Sequence, residues 1–109
     1  FIDLVNYSAS IDGYSSLCVK NYDDDKELTS LFSLLNELKE KYMLFTDDDY
    51  NMLQSTYMKT KSATVSQLMK LKLNSQKSRC NSYLKIFERF DRKKQRNLEE
   101  LEKIVEAYQ

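Results

Sequence analysis

The chain of 109 residues contains no proline, no histidine, no tryptophan and a single glycine, Gly13. Folds rich in β-strands need turn residues at regular spacing, whereas helices joined by short polar loops need far fewer. Hydrophobic residues make up 41% and aromatic residues 12% of the chain, which exceeds what a disordered chain carries even though 31% of the residues are charged. The composition predicts one all-α domain spanning residues 1–109, with a single modest core.

The absence of histidine excludes several kinds of chemistry. Ser-His-Asp and Cys-His nucleophilic sites cannot form, and the commonest transition-metal ligand is missing. Two cysteines alone cannot complete a structural zinc site, and no glycine-rich loop exists to cradle a phosphate. The acidic triplets at 23–25 and 47–49 lack the alternating ligands and the glycine of a calcium loop, so we interpret them as helix caps. We expect no enzyme activity, no metal and no cofactor.

Apolar residues recur at helical spacing along the first half of the chain. A first helix is predicted over residues 2–10, and Gly13 marks its end or a kink, since glycine adopts the conformation common at helix ends. A second helix begins after the caps at Asp23–Asp25, and a third begins at Thr46, with Asp49 in the capping-box position. The predicted inner faces of these two helices carry Leu28, Leu31, Phe32, Leu35, Leu38, Tyr42, Tyr50, Leu53 and Tyr57.

The second half predicts one long helix and a final shorter one. Thr64 is the predicted N-cap of a fourth helix that runs to Phe87. Within it Leu73, Cys80 and Phe87 are spaced by seven, which places Cys80 on the buried side. Asn97 is the predicted N-cap of the last helix, whose inner face carries Leu98, Leu101, Val105 and Tyr108. The fold class predicted is a compact all-α bundle of four to five helices tied by one disulfide.

Cys18 and Cys80 are the only cysteines, so only one pairing exists. Two buried free thiols are the alternative, because proline-free helical domains often lack any staple. We expect a disulfide, since the two residues lie in opposite parts of the chain and closing a loop of about 60 residues stabilises a fold by about 4 kcal/mol. The chain opens on Phe1 and has no apolar run of about 18 residues, so we expect a mature, secreted form with no membrane span.

A net charge of zero conceals three blocks of the sequence. Residues 1–58 carry eleven acidic and four basic residues, a net charge of −7. Residues 59–96 carry twelve basic and two acidic residues, a net charge of +10, and residues 97–109 return to −3. Such segregation indicates either internal pairing of acidic and basic helices or a basic face presented to an acidic partner.

The basic block is the strongest candidate for a binding surface, because arginine forms bidentate pairs with carboxylates and is common at the centres of interfaces. A solvated face neutralised by the acidic half is the structural alternative. Nucleic-acid binding is not expected, since the whole chain has a pI near 6.5 and no docking motif. We predict that the residues binding an acidic protein partner are Lys77, Arg79, Lys85, Arg89, Arg92, Lys93, Lys94 and Arg96.

The short chain, its two well-separated cysteines and the stretches Phe1 to Val5 and Tyr14 to Cys18 resemble the anophensin-like family of anopheline mosquito salivary proteins. The resemblance implies secretion into the blood of a vertebrate host. Its albicin-like branch implies inhibition of the alternative pathway of complement, by non-catalytic binding to the assembled convertase. Another branch implies inhibition of contact activation through factor XII and kininogen. Carriage of a small apolar ligand is a third alternative, and the resemblance assigns no binding residues.

Overall fold

The computed structural model describes residues 1–23 and 26–107. Within these residues the chain forms five helices and no strand. In chain order the helices are α1 (Ile2–Cys18), α2 (Lys26–Tyr42), α3 (Asp47–Met69), α4 (Leu73–Asn81) and α5 (Tyr83–Ala107). The bundle measures 51 × 25 × 21 Å. The predicted all-α bundle of four to five helices tied by one disulfide is confirmed.

Helix α1 lies at the centre of the bundle and packs against the other four helices. Its buried residues include neighbours in sequence, such as Leu4 with Val5 and Ser8 with Ala9. Neighbouring positions on a helix point about 100° apart, so α1 is covered on several sides and lacks a single apolar stripe. A central helix of this kind sets the position of all the others.

The long helices around α1 differ in direction. Helix α3 runs parallel to α1 and α5 runs antiparallel to it, because the contacts advance together along α1 and α3 but in opposite senses along α1 and α5. The contacting pairs are Asn6–Thr60 and Gly13–Thr64 for α3, and Tyr7–Phe90 and Ser15–Tyr83 for α5.

One half of the bundle, which we call the apolar half, holds a contiguous hydrophobic cluster. The ring of Phe32 meets the rings of Tyr50 and Tyr57 edge-on, with centroids 5.6 and 5.8 Å apart. Each fully buried leucine contributes about 1.5–3 kcal/mol to stability. The predicted inner faces of α2 and α3 are confirmed. The buried members of the cluster are Leu4, Val5, Ala9, Leu31, Phe32, Leu35, Leu38, Leu53, Tyr57 and Leu101.

The other half, which we call the stapled half, contains the disulfide. Cys18 at the end of α1 is bonded to Cys80 in α4, with the two Cα atoms 5.1 Å apart, so the predicted bond is confirmed. The described residues of α4 include no buried side chain. The short helix is therefore held by the covalent bond and by its neighbours in sequence more than by apolar packing.

The capping box predicted at the start of α3 is confirmed. The Oγ1 atom of Thr46 accepts a hydrogen bond from the backbone N–H of Asp49, and the carboxylate of Asp49 accepts one from the N–H of Thr46, both at 3.2 Å. Asp24 and Asp25 of the predicted α2 cap, and Tyr108 on the predicted last inner face, lie outside the described residues.

The prediction that α1 ends at Gly13 is wrong, since the helix continues to Cys18, and the alternative of a kink stays a prediction. Gly13 is buried, and a Cβ atom built on it would lie 2.9 Å from both Cβ and Cγ2 of Thr64. The glycine therefore permits the backbones of α1 and α3 to approach closely and does not form a turn.

The predicted boundaries of the last two helices are also wrong. Thr64 lies inside α3, where its hydroxyl donates a hydrogen bond to the carbonyl oxygen of Thr60 at 2.9 Å. Asn97 lies inside α5, which crosses the polar stretch 91–96 without a break. Lysine, arginine and glutamine are good helix formers, so a run of them extends a helix as readily as it marks a loop.

The break in the predicted long helix has a consequence for its apolar stripe. Helix α3 ends at Met69, α4 runs only from Leu73 to Asn81 and α5 begins at Tyr83, so Leu73, Cys80 and Phe87 do not lie on one continuous helix. Leu73 is 65% exposed, which contradicts its predicted place on a buried stripe, and Leu84 at the start of α5 is 70% exposed as well.

Candidate functional site

Five of the eight predicted binding residues form a continuous row along α5. They occur at the spacing i, i+4, i+7, i+8 and i+11, which places them on one strip of a helix surface. All five are exposed, and the row extends over about 16 Å of helix axis. We call this row the α5 stripe. It consists of Lys85, Arg89, Arg92, Lys93 and Arg96.

The opposite side of α5 faces the bundle. Tyr83 contacts α1 through Ser15, Phe90 contacts the ring of Tyr7, and Leu101 is buried in the apolar half. Because these inward residues lie half a turn away from the α5 stripe, the packing of α5 directs the stripe toward solvent. The fold thus presents the stripe on the exposed side of α5.

Two further predicted residues, Lys77 and Arg79, lie on the short helix α4 and are exposed. Lys94 is placed differently. Its ammonium lies 2.9 Å from Oε2 of Glu27 and 3.7 Å from Oδ1 of Asp91, and its side chain is only 15% exposed. Lys94 joins α5 to α2 and does not belong to the α5 stripe.

The cations of the α5 stripe share their helix with Glu88, Asp91 and Glu100 but are not paired with them. No carboxylate within residues 1–23 and 26–107 forms an ion pair with any of the five. Arg92 donates from Nε to the backbone carbonyl of Glu88 at 3.4 Å, and because that acceptor is neutral this bond is not an ion pair. Neutralisation by the acidic half of the sequence, the structural alternative, therefore applies to Lys94 and not to the stripe.

Aromatic rings support the middle of the stripe. The guanidinium of Arg89 lies 5.2 Å from the ring centroid of Phe90, and Nζ of Lys93 lies 5.4 Å from that of Tyr7. The two rings are 6.1 Å apart. Cation–π contacts of this kind hold the side chains over the surface, which reduces the entropy lost when a partner binds. Sequence reasoning missed Tyr7, because it reaches the stripe from another helix.

The distribution of charge along α5 opposes the preference of an isolated helix. Lys85 stands in the first turn and Glu106 in the last, while a helix dipole favours acidic residues at the start and basic ones at the end. Each such placement costs about 0.3–1 kcal/mol. Stability of the helix therefore does not explain the charge pattern of α5.

A buried polar cluster lies in the stapled half. The carboxylate of Asp12, which has no exposed surface, accepts hydrogen bonds from the hydroxyl of Tyr22 at 2.5 Å and from the backbone N–H groups of Glu27 and Leu28 at 3.3 and 3.2 Å. These two N–H groups belong to the first turn of α2. Asp12 of α1 therefore caps α2 across the bundle, which no local sequence signal indicates.

Burial dominates the titration of this cluster. It raises the pKa of Asp12, although the hydrogen bonds from Tyr22 and the two backbone N–H groups act in the opposite direction. Burial and the bond to Asp12 also raise the pKa of Tyr22. The hydroxyl of Ser15 lies 2.6 Å from that of Tyr83, which links α1 to the start of α5. All four groups have partners within the fold, so we interpret the cluster as structural.

Within the described ranges, no three His, Cys, Asp or Glu side chains gather as metal ligands. Asp49 of the second acidic triplet serves the capping box, and Asp47 accepts a hydrogen bond from Lys39 at 2.6 Å. Across the same residues, no helix combines the length and apolar composition that a bilayer crossing requires.

No protein-family model, no curated protein sequence and no solved structure matches the chain significantly. The function has to be argued from the surface itself.

Proposed function

We propose that this protein is a secreted, non-catalytic inhibitor of the alternative pathway of complement, which binds an acidic surface of the assembled convertase through the α5 stripe. The observation that carries the proposal is the row of five exposed cations without a described carboxylate in reach. The choice of the convertase as partner rests on the resemblance to the anophensin-like family.

The chemistry of the stripe suits a protein surface rich in carboxylates. Three of its five cations, Arg89, Arg92 and Arg96, are arginines, whose planar guanidinium groups pair with carboxylates through two parallel hydrogen bonds. Since no carboxylate of the described residues forms an ion pair with them, a partner would not have to break one there. A charged patch of this kind also accelerates encounter with a partner of opposite charge.

The disulfide supports the assignment to an extracellular compartment. Bonds such as Cys18–Cys80 form and persist in oxidising environments and are rare in the cytosol. A stoichiometric inhibitor exposed to plasma also benefits from a covalently closed fold.

The test is an alternative-pathway haemolysis assay with rabbit erythrocytes and two matched variants. The first neutralises the stripe with Arg89→Gln, Arg92→Gln and Arg96→Gln. The second removes the same number of charges from exposed lysines outside the stripe, with Lys20→Gln, Lys59→Gln and Lys103→Gln. We expect the wild type to inhibit at micromolar concentration, the stripe variant to lose about tenfold or more in potency, and the control to retain its potency.

Two results would contradict the proposal. Absence of inhibition by the wild type at micromolar concentration removes the convertase as target. Equal loss in both variants means that overall charge, and not the α5 stripe, governs the effect.

Inhibition of contact activation is the second candidate, because an exposed cationic row equally suits the anionic surfaces on which that cascade begins. Binding to such a surface weakens steeply with salt, since exposed charges are screened over about 8 Å at physiological ionic strength. A prolonged activated partial thromboplastin time that the stripe variant abolishes supports this candidate, and an unchanged clotting time rejects it.

A further inference from the structure

A groove lies between α2 and the C-terminal half of α5, and it begins on α5 at Gln95, where the α5 stripe ends. It has a volume of about 530 Å³ and is open to solvent along one side. The buried side chains of Leu38 and Leu101 form its floor, and the half-buried Leu34 and Leu98 belong to its walls. Both helices pack against the central α1, and the groove remains where their outer surfaces diverge.

The rim of the groove is acidic. Glu37 of α2 and Glu99, Glu102 and Glu106 of α5 line it and are exposed, while none of the described lining residues is a lysine or an arginine. The C-terminal ends of α2 and α5 also lie here, and helix C-termini carry partial negative charge.

The chain itself places one cation beside this groove. Nζ of Lys41 lies 5.5 Å from the ring centroid of Tyr42, which lines the groove. An ammonium group over an aromatic face is a favourable arrangement. A lysine or arginine of a partner at this rim would meet both the ring of Tyr42 and the carboxylates of the glutamates.

The dimensions of the groove favour an extended occupant. The lining residues of α5 extend from Gln95 to Glu106, about 16 Å or three helical turns. Its apolar residues Leu98, Leu101 and Val105 follow the spacing i, i+3 and i+7 that meets the apolar face of another helix. Small-molecule sites enclose about 70–90% of their ligand, which an open groove does not do.

We propose that this groove binds a cationic amphipathic helix of about three turns from a partner protein, with its apolar side chains on Leu38 and Leu101 and its lysine or arginine residues against the glutamate rim. The site is independent of the α5 stripe and takes a partner segment of opposite charge. The protein would then contact two differently charged surfaces at once, one along each half of α5.

The experiment uses fluorescence anisotropy of a labelled synthetic peptide of about 12 residues, with leucines at helical spacing and lysines on the flanks. A second peptide replaces every lysine with glutamate. The groove variant carries Glu99→Gln, Glu102→Gln and Glu106→Gln. The matched control carries Asp48→Asn, Glu88→Gln and Glu100→Gln, which are exposed acidic residues outside the groove and change the net charge equally. Circular dichroism verifies that both variants are folded.

We expect the lysine peptide to bind saturably and the glutamate peptide not to bind. The groove variant should weaken binding by about tenfold, the size expected when three exposed charge pairs are lost, while the control binds as the wild type does. Equal binding of the two peptides, or equal weakening in the two variants, would overturn the proposal. Binding of a long-chain alkylammonium ion in the absence of peptide binding would also overturn it, in favour of a small-molecule site.

Discussion

The apolar half and the stapled half differ in what holds α1 against its neighbours. In the apolar half, leucines and aromatic rings from α1, α2, α3 and α5 form one contiguous cluster. In the stapled half, the Cys18–Cys80 bond, the carboxylate of Asp12 and the Ser15–Tyr83 hydrogen bond act beside a smaller apolar contribution, since Ile11 and Leu68 are buried there outside that cluster. Apolar packing is non-directional, whereas the covalent and polar contacts of the stapled half depend on particular atoms at particular distances.

The distribution of exposed leucines explains this difference. Leu73 and Leu84, on the helices of the stapled half, point to solvent, and α4 buries none of its described side chains. With less apolar area to bury there, the stapled half gains less from the hydrophobic effect. A covalent bond and buried polar contacts supply the cohesion that leucines supply in the other half.

The largest expected effect comes from removing the disulfide. Replacing both cysteines, with Cys18→Ala and Cys80→Ala, should lower the free energy of unfolding by about 4 kcal/mol and the melting temperature by about 15–30 °C, since the unfolded chain regains the freedom that the bond removes. Urea and thermal unfolding measure both quantities. Hydrogen exchange should show protection lost first in α4. A melting temperature unchanged within a few degrees would mean that the stapled half does not depend on the disulfide for its stability.

Asp12→Ala should be next in size. It leaves the hydroxyl of Tyr22 and the N–H groups of Glu27 and Leu28 without their acceptor, which should lower the free energy of unfolding by about 2–3 kcal/mol. Urea unfolding measures the change. An effect below about 0.5 kcal/mol would show that the cap across the bundle contributes little.

The pH dependence of the same site has a defined sign. Burial raises the pKa of Asp12 above its ordinary value of 3.8, so the folded protein keeps this proton at a pH at which the unfolded chain has released it. Lowering the pH through the raised pKa toward 3.8 should therefore stabilise the wild type relative to Asp12→Asn. Unfolding of both proteins between about pH 7 and about pH 3.5 tests this. If lowering the pH instead destabilises the wild type relative to Asp12→Asn, burial does not dominate the pKa of Asp12.

Two tyrosines should respond in opposite directions to the loss of their hydroxyl groups. The hydroxyl of Tyr57 is buried in the apolar half and has no hydrogen-bond partner among the described residues, so Tyr57→Phe should raise the free energy of unfolding by about 1 kcal/mol. Tyr83→Phe removes the bond to Ser15 and should lower it by about 1 kcal/mol. Chemical denaturation of the two variants measures both changes in the free energy of unfolding. Changes of the same sign would contradict the prediction.

The smallest expected effect concerns the turns that follow α1 and α2. Met43 adopts a φ of 52° and Asn21 a φ of 59°, a region that asparagine tolerates better than methionine. Met43→Gly should raise the free energy of unfolding by about 0.5 kcal/mol, while Asn21→Gly should change it by less than about 0.3 kcal/mol. Thermal unfolding of the two variants side by side measures both changes. Equal changes would contradict the prediction that the positive φ is more strained at Met43 than at Asn21.

Local patterns in the sequence were sufficient for several elements. The inner face of α2, the capping box at Thr46 and the start of α3 at Asp47 follow from spacing and capping between residues close in the chain. The exposed position of the α5 stripe also follows from composition, because a run of lysines and arginines is rarely buried. The disulfide was predicted because the two cysteines lie in opposite parts of the chain and closing a long loop stabilises a fold, while two free thiols were the alternative.

Other features could not be predicted, because they depend on contacts between residues that are distant in the sequence. The sequence identified Gly13 as a helix end, and only the packing of α1 on α3 makes it a site of close approach. Lys94 has the same local character as the residues of the α5 stripe, and only its contact with Glu27 withdraws it from the surface.

By itself, then, the sequence determined the helical class, the unique disulfide pairing and the segregation of charge, because each depends on composition or on neighbours in the chain. The tertiary structure decided which cations stay unpaired, how Asp12 of α1 caps α2, and where α2 and α5 leave an acidic groove. These properties depend on distances between residues remote in sequence, and such distances arise only when the helices pack around α1.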